Sequence, residues 1–119
     1  MDKFTVSLPL TGEFLTTVRL TTGGLCSLAG FDVDAAEDFK VCVTESLLIL
    51  KRNGFSSATI TFTVGEALAC EVQGDCLNGD KEESIEEEIS RALLSALLGD
   101  VEFIKDKTGS IIEKIVFEG

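Results

Sequence analysis

The sequence has no histidine, and none of its four cysteines belongs to a C-x-x-C pair. Without histidine, neither a Ser-His nor a Cys-His nucleophile pair can be assembled. A zinc site would need all four thiolates to converge from scattered positions, so no metal site is predicted. The cysteines are Cys26, Cys42, Cys70 and Cys76. These absences exclude histidine-assisted hydrolases and make a zinc protein a poor match.

Long apolar runs and basic residues are also scarce. The run at residues 47–50 is far too short to span a bilayer. Residues 1–10 lack a basic start followed by an apolar stretch, so we expect no secretory signal and a cytoplasmic location. Ten basic residues face 21 acidic ones, giving a net charge of −11. Such a chain is repelled by nucleic acids and anionic membranes, whereas a protein partner is electrostatically easier.

Hydrophobic periodicity predicts the element order β-α-α-β-β-α-β-β within one domain spanning residues 1–119. The predicted strands are 3–8, 58–64, 67–72, 101–104 and 110–117. The predicted helices run from an N-cap at Thr11 to Gly30, over 34–53, and from Ser84 to Gly99. A polar loop is expected at 73–83. Short turns between strands, with helices grouped between them, favour an α/β (α+β) two-layer sandwich. Its sheet is expected to be mixed, mostly antiparallel, and covered by helices on one face.

The second predicted helix, at residues 34–53, carries the most informative residues. Asp34 and Glu37 form a variant of the capping box at its start. Seven of the ten residues at 41–50 are apolar, so the helix is expected to be buried on most sides. A carboxylate, Glu45, interrupts this apolar stretch, and Asn53-Gly54 supplies the exit.

Two stretches within this frame carry a family resemblance. They are LTGEF at 10–14 continuing through VRL at 18–20, and GF at 30–31 continuing through EDFKVCVTES at 37–46. Together they resemble the anti-sigma-factor serine kinases, which belong to the histidine-kinase-like (GHKL or Bergerat) ATP-binding domains. Residues 89–116 look like the end of the same domain, where a helix leads into a closing hairpin. The likeness in element order covers nearly the whole chain.

The first motif that the resemblance implies is E-x-x-x-N on one helix. In that family the glutamate positions the attacking group, and the asparagine oxygen binds the magnesium that bridges the phosphates. Glu45 matches the first position, but Ile49 occupies the second. An aliphatic side chain has no lone pair, and Mg²⁺ requires oxygen ligands. Glu45 is therefore either a surviving base or a leftover carboxylate that reaches solvent or pairs with a lysine.

The second motif is an aspartate followed by glycines, D-x-G-x-G, which reads the adenine amino group. Aligning Gly74-Asp75 with the family's glycine turn puts Val72 at the adenine-reading position, where no hydrogen bond can be accepted. A shifted register puts Asp75 there instead, with Gly79 as the later glycine and Leu77 replacing the middle one. Both registers leave the motif broken.

The third motif is a glycine-rich lid that presents backbone N–H groups to the phosphates at a helix N-terminus. Here the lid is shortened to residues 78–83, and Glu87, Glu88 and Ser90 occupy expected glycine positions. Ser84 and Glu87 form a predicted capping box, so the helix would cap its own donors.

Acidic residues around this shortened lid are opposed in the sequence only by Lys81. They are Asp80, Glu82, Glu83, Glu86, Glu87 and Glu88. Each carboxylate repels a phosphate at ~6 Å by roughly 0.7 kcal/mol in water. Two other interpretations stay open. The carboxylates could bind Mg²⁺ and bridge it to phosphate, or they could simply complement the helix dipole.

The sequence therefore predicts a degenerate family member: a catalytically silent regulatory module with no cofactor, whose vestigial nucleotide site is Glu45, Ile49, Val72, Gly74, Asp75 and Gly79. The resemblance implies a sigma factor, an anti-sigma antagonist or a second copy of the chain as partner. The alternative is a working ATP-dependent serine/threonine-protein kinase that uses ATP and Mg²⁺. In that case Glu45 would be the base and Asp75 the adenine reader.

Overall fold

The computed structural model describes residues 2–82 and 84–119, and the predicted element order is confirmed. The elements are β1 (Asp2–Pro9), α1 (Gly12–Leu28), α2 (Val33–Arg52), β2 (Phe55–Val64), β3 (Leu68–Leu77), α3 (Ile85–Leu98), β4 (Val101–Lys105) and β5 (Ile112–Glu118). Among these described residues, no helix combines the length and apolar character needed to cross a membrane.

The sheet has five strands in the order β1-β2-β3-β5-β4, and each of these pairings is antiparallel. The expectation of a mixed sheet was wrong, since the described strands include no parallel pair. The physical reason is that α1 and α2 are joined by a short turn and run in opposite directions. The chain therefore re-enters the sheet beside the end of β1 and runs back along it.

The two faces of the sheet differ in chemistry. In β2, Ala58, Ile60 and Phe62 are fully buried, while the alternating threonines at 59, 61 and 63 point to the other face. Helix α2 packs against β2, β3 and β5, and α1 and α3 pack on its flanks. The result is the predicted two-layer α+β sandwich, with one sheet face covered by helices and one face open and polar.

Strand β3 is longer than predicted. The expected loop from residue 73 is wrong as far as Leu77, because Gln73, Asp75 and Leu77 pair with β2. Gly74 gives this segment the composition of a loop, but the glycine is needed for packing within the strand. A Cβ atom there would lie 2.6 Å from the ring of Phe55. The glycine therefore makes room for an aromatic side chain in a continuous strand and does not form a turn.

Helix α2 begins slightly earlier than predicted. Its N-cap is Asp32, not Asp34, and the Asp32 Oδ1 atom accepts a hydrogen bond of 2.8 Å from the Ala35 N–H. The predicted exit is confirmed, with Asn53 as C-cap and Gly54 at φ +103°. The apolar stretch is buried on most sides, as expected. Its fully buried members are Cys42, Val43, Leu47, Ile49 and Leu50.

Candidate functional site

One face of α2 carries Glu45, Ile49 and Arg52, at the i, i+4 and i+7 positions of a helix. This face meets α3. The half-buried Glu45 accepts a hydrogen bond of 2.7 Å at its Oε2 atom from the Ser90 hydroxyl. The partner of the candidate base is therefore a serine of α3, where the sequence suggested solvent or a lysine.

The position that would supply a magnesium ligand is fully buried Ile49. The next amide along α2 is Asn53, which is also fully buried. Its Oδ1 atom accepts a bond of 3.0 Å from the Ile112 N–H of β5. Its Nδ2 atom donates to the Ile49 carbonyl at 2.8 Å and to Glu87 Oε1 at 3.3 Å. The Asn53 amide is thus committed to protein partners on both sides.

Arg52 completes a connected set of polar side chains between α2 and α3. Its Nη2 atom donates to the Ser90 hydroxyl at 2.6 Å, and its Nε atom donates to Glu87 Oε2 at 3.3 Å. The Arg52 and Glu87 side chains are only 15% and 10% exposed. We call Glu45, Ser90, Arg52, Glu87 and Asn53 the α2–α3 polar network. It satisfies buried polar groups internally, with Ser90 between the guanidinium and the Glu45 carboxylate.

The predicted capping box at the start of α3 is wrong. Ser84 is the N-cap residue, but its side chain makes no capping bond, and its buried Oγ atom has no partner in the described part of the chain. The Glu87 carboxylate turns to Arg52 and Asn53. The guanidinium carries a full positive charge, so it attracts the carboxylate more strongly than the neutral backbone N–H that the reciprocal cap would use.

The acidic residues around the lid are less uniform than the sequence suggested. Glu87 is buried and neutralised by Arg52, a cation that the sequence analysis did not assign to the site. Lys81, expected to oppose the acids, donates instead to the Ser110 carbonyl at 3.1 Å. The exposed members are Asp80, Glu82, Glu86 and Glu88, and Glu83 lies outside the described residues.

A groove of about 600 Å³ lies beside Arg52 and is also lined by Glu82, Ser84 and Glu86. Two carboxylates and one guanidinium border it, and the guanidinium is already bonded within the network. The groove is therefore a poor environment for a phosphate chain.

The segment interpreted from the sequence as a shortened lid is docked, over residues 78–82, onto the C-terminal end of α2. The N–H groups of Asn78 and Gly79 donate to the Gly54 carbonyl at 3.1 and 3.0 Å, and the Glu82 N–H donates to the Arg52 carbonyl at 2.7 Å. A side chain at Gly54 would collide with the backbone of Gly79. Gly79 therefore lies where two backbone segments approach closely.

The two candidate adenine-reading residues point in opposite directions. Val72 is fully buried on the helix-covered side of β3. Asp75 lies on the open face, where its Oδ2 atom accepts a bond of 2.6 Å from the Thr59 hydroxyl. Glu45 and Asp75 are consequently separated by the sheet. The structure places Glu45, Ile49 and Val72 on the helix-covered side of the sheet. Gly74 lies on that same side, beneath the ring of Phe55.

Comparison with known proteins gives a partial match. Over 54 residues the chain is 37% identical to the serine-protein kinase RsbW of Listeria monocytogenes, and it matches RsbW of Listeria innocua to the same extent. The match covers 45% of this chain and 34% of the length of those relatives. No family model matches the chain. The likeness thus supports kinship with these kinases over less than half of the sequence.

Three residues of the network were missed or misread by sequence reasoning. Arg52 was not assigned, Asn53 was interpreted only as a helix exit, and Ser90 only as a replaced glycine. The available signal was the seven-residue spacing from Glu45 to Arg52, which places both on one helical face. The partners Glu87 and Ser90 are more than 30 residues away in sequence, so local patterns could not identify them.

Proposed function

We propose that this chain is a catalytically silent regulatory module of the anti-sigma-factor serine kinase type, which has lost ATP and Mg²⁺ binding and acts by contacting another protein. The observation that carries the proposal is the α2–α3 polar network. It occupies the face of α2 that the resemblance assigns to the phosphates, with Ile49 at the magnesium-ligand position. The partial likeness to serine-protein kinases supports the ancestry.

The energetics of ligand entry favour the silent module. A triphosphate that recruited Arg52 would leave the Glu87 carboxylate buried without its cation, which typically costs about 3 kcal/mol or more. Glu82 and Glu86 at the groove would add roughly 0.7 kcal/mol each in water, and more at a lower dielectric. Micromolar binding supplies only about 8 kcal/mol in total. Without a metal to offset the repulsion, these costs consume most of that affinity.

The partner that fits this proposal is a protein: a sigma factor, an anti-sigma antagonist, or a second copy of the chain. The net charge of −11 favours a partner with a basic surface and disfavours nucleic acids and anionic membranes. A cytoplasmic location belongs to the same proposal.

Calorimetric titration with ATP and Mg²⁺ tests the loss of nucleotide binding. We expect no saturable heat at nucleotide concentrations up to the millimolar range. A dissociation constant tighter than about 100 µM, equivalent to about 5.5 kcal/mol, would refute the proposal if Glu45→Ala weakened it. The matched control is Glu102→Ala, which removes an exposed carboxylate from the open face of β4.

The second candidate function is an ATP-dependent serine/threonine-protein kinase with a modified phosphate site. Glu45 is retained, a groove lies beside Arg52, and the matched relatives are serine-protein kinases. Its expected adenine reader, Asp75, lies on the open face, which counts against this candidate. Transfer of labelled phosphate from ATP to a serine of an antagonist protein, abolished by Glu45→Ala, would establish it.

A further inference from the structure

A second concave surface lies at the other end of α2. A groove of about 500 Å³ opens between the α1–α2 turn, the first turns of α2, the end of α3 and the end of β5. We call it the Phe31 groove. Seventeen residues of α2 separate Ala35 in this groove from Arg52 in the polar network, which is ~25 Å along the helix. A ligand here would leave the network intact.

The floor of the Phe31 groove is apolar and well supported. Phe31 is half-buried and packs edge-on against Phe39, with ring centres 5.6 Å apart. Phe39 packs in turn against Phe117 of β5 at 5.3 Å. Leu97 and Leu98 of α3 form the opposite wall. Because the rings are held by neighbouring rings, the groove is preformed and suits an apolar side chain.

The rim of the Phe31 groove is negatively charged. Asp32 and Asp38 line it, and none of its lining residues is basic. Glu118 also borders the groove, but its position beside Ala69 in the strand register directs its side chain to the open face of the sheet. In residues 2–82 and 84–119 the side-chain ion pairs use other carboxylates, those of Glu37, Glu71 and Glu87. The charges at this rim are therefore available to a partner.

Helix ends reinforce this negative potential. Helix α3 reaches the groove at Leu97 and Leu98 and has no basic residue in its last turn, and α1 also ends nearby without one. The partial negative charge of a helix C-terminus is therefore not offset there. The positive end of α2 faces the same region, but the Asp32 carboxylate already caps it.

We propose that the Phe31 groove docks a basic segment of a partner protein, with one apolar side chain on the phenylalanine floor and arginine or lysine side chains facing Asp32 and Asp38. The inference rests on the proposed function, since it names the chemistry of the partner that such a module would bind. A second copy fits poorly, because two chains of charge −11 repel each other.

An NMR titration with a short synthetic peptide, in which leucine is flanked by arginines, tests the groove. We expect shifts of the Phe31 and Leu98 amides. Ala35→Trp should abolish binding, because Ala35 is exposed and lines the groove. The matched control Ala92→Trp alters an exposed alanine of α3 outside the lining and should bind within about twofold of the unmodified chain. If Ala35→Trp fails to fold, the charge variants below carry the test.

Removing the rim charges separates site binding from general attraction. Asp32→Asn with Asp38→Asn should weaken the peptide about tenfold, from two exposed ion pairs of up to ~1 kcal/mol each, and asparagine at position 32 can still cap α2. The control pair Glu13→Gln with Glu102→Gln removes two exposed carboxylates outside the groove and should change affinity about twofold or less. Equal weakening by both pairs would overturn the proposal, as would equal binding of a peptide with serine in place of leucine.

The remaining outcomes are also decisive. A concentration-dependent dimer that Ala35→Trp prevents would assign the groove to a second copy and overturn the basic-segment proposal. Peptide binding that survives every groove variant would do the same. Neither result bears on the proposed loss of nucleotide binding. If that proposal is wrong, the calorimetric titration will show ATP binding.

Discussion

The charged and polar side chains at the two ends of α2 differ in burial and in hydrogen bonding. At the C-terminal end, Arg52 and Asn53 are buried and bonded to α3 and β5. At the N-terminal end, Asp32 and Asp38 are exposed beside an open apolar groove. Buried polar groups that are satisfied internally contribute to the fold, whereas exposed charges over a preformed floor are available for recognition. The comparison indicates that the C-terminal end of α2 has a structural role.

The largest expected effect comes from Asn53→Ala at the C-terminal end. The substitution leaves the Ile112 N–H without its acceptor and removes the donor to the Ile49 carbonyl and to Glu87. Each buried group left unsatisfied costs about 1–3 kcal/mol, so we expect a loss of about 3 kcal/mol in the free energy of unfolding. Urea denaturation measures it. Asn78→Ala, at an exposed position of the lid, is the control and should cost under about 0.5 kcal/mol.

Arg52→Met should have the next largest effect. It preserves the length of the side chain but leaves the mostly buried Glu87 carboxylate without a cation. We expect a loss of about 2 kcal/mol, below the value for a fully buried pair because both side chains keep some exposure.

The double variant Arg52→Met with Glu87→Met tests the origin of this loss. It removes the charge left behind, so it should be more stable than Arg52→Met alone. A double variant that loses the sum of the two single losses would show that Arg52 and Glu87 are not coupled, and it would weaken the structural role assigned to the network.

The middle of α2 should make stability fall at alkaline pH. Burial, with smaller contributions from Asp38 and Glu45, raises the pKa of the Cys42 thiol from 9.0 to about 12. Between these values the unfolded chain loses the thiol proton while the folded chain keeps it, so stability decreases as pH rises. The slope should approach about 1.4 kcal/mol per pH unit for this thiol. Unfolding curves between pH 8 and 11 measure it. Cys42→Ala should reduce the dependence on pH without abolishing it, because burial also raises the pKa of the Cys26 and Cys70 thiols.

The smallest expected effect is at the groove end. Asp38→Asn removes an exposed charge that has no ion-pair partner in the described parts of the chain. Surface changes of this kind alter the free energy of unfolding by about 0.5 kcal/mol or less. Thermal unfolding of this variant beside Asn53→Ala gives the comparison directly. A large loss in the groove variant would mean that this rim carboxylate stabilises the fold, and the contrast between the two ends would fail.

Hydrophobic periodicity and the glycines that end helices were sufficient to predict most of the fold. The alternation in β2, the glycine exits at Gly30 and Gly99, and the burial of α2 were all predicted from local pattern and are confirmed. The extension of β3 was not, because Gln73 and Asp75 face the open side of the sheet, where polar residues are normal. A strand with one solvated face and a glycine under an aromatic ring has the composition of a loop.

The burial of the candidate site could be predicted from the sequence, but the polar partners of its side chains could not. The burial of Ile49 follows from its place in an apolar helix stretch. The role of Arg52 does not, since its partners are set by how α3 lies on α2. The Ser84–Glu87 spacing predicted a local cap, and the tertiary ion pair to Arg52 proved the stronger attraction for Glu87.

Of the four cysteines, Cys76 alone is exposed, at the end of β3 with φ +57° and close to the docked lid. At neutral pH a maleimide dye should therefore attach there, while the buried thiols stay unmodified until the chain unfolds. A single fluorophore at this position would report whether the lid ever leaves the C-terminal end of α2, without any engineered cysteine.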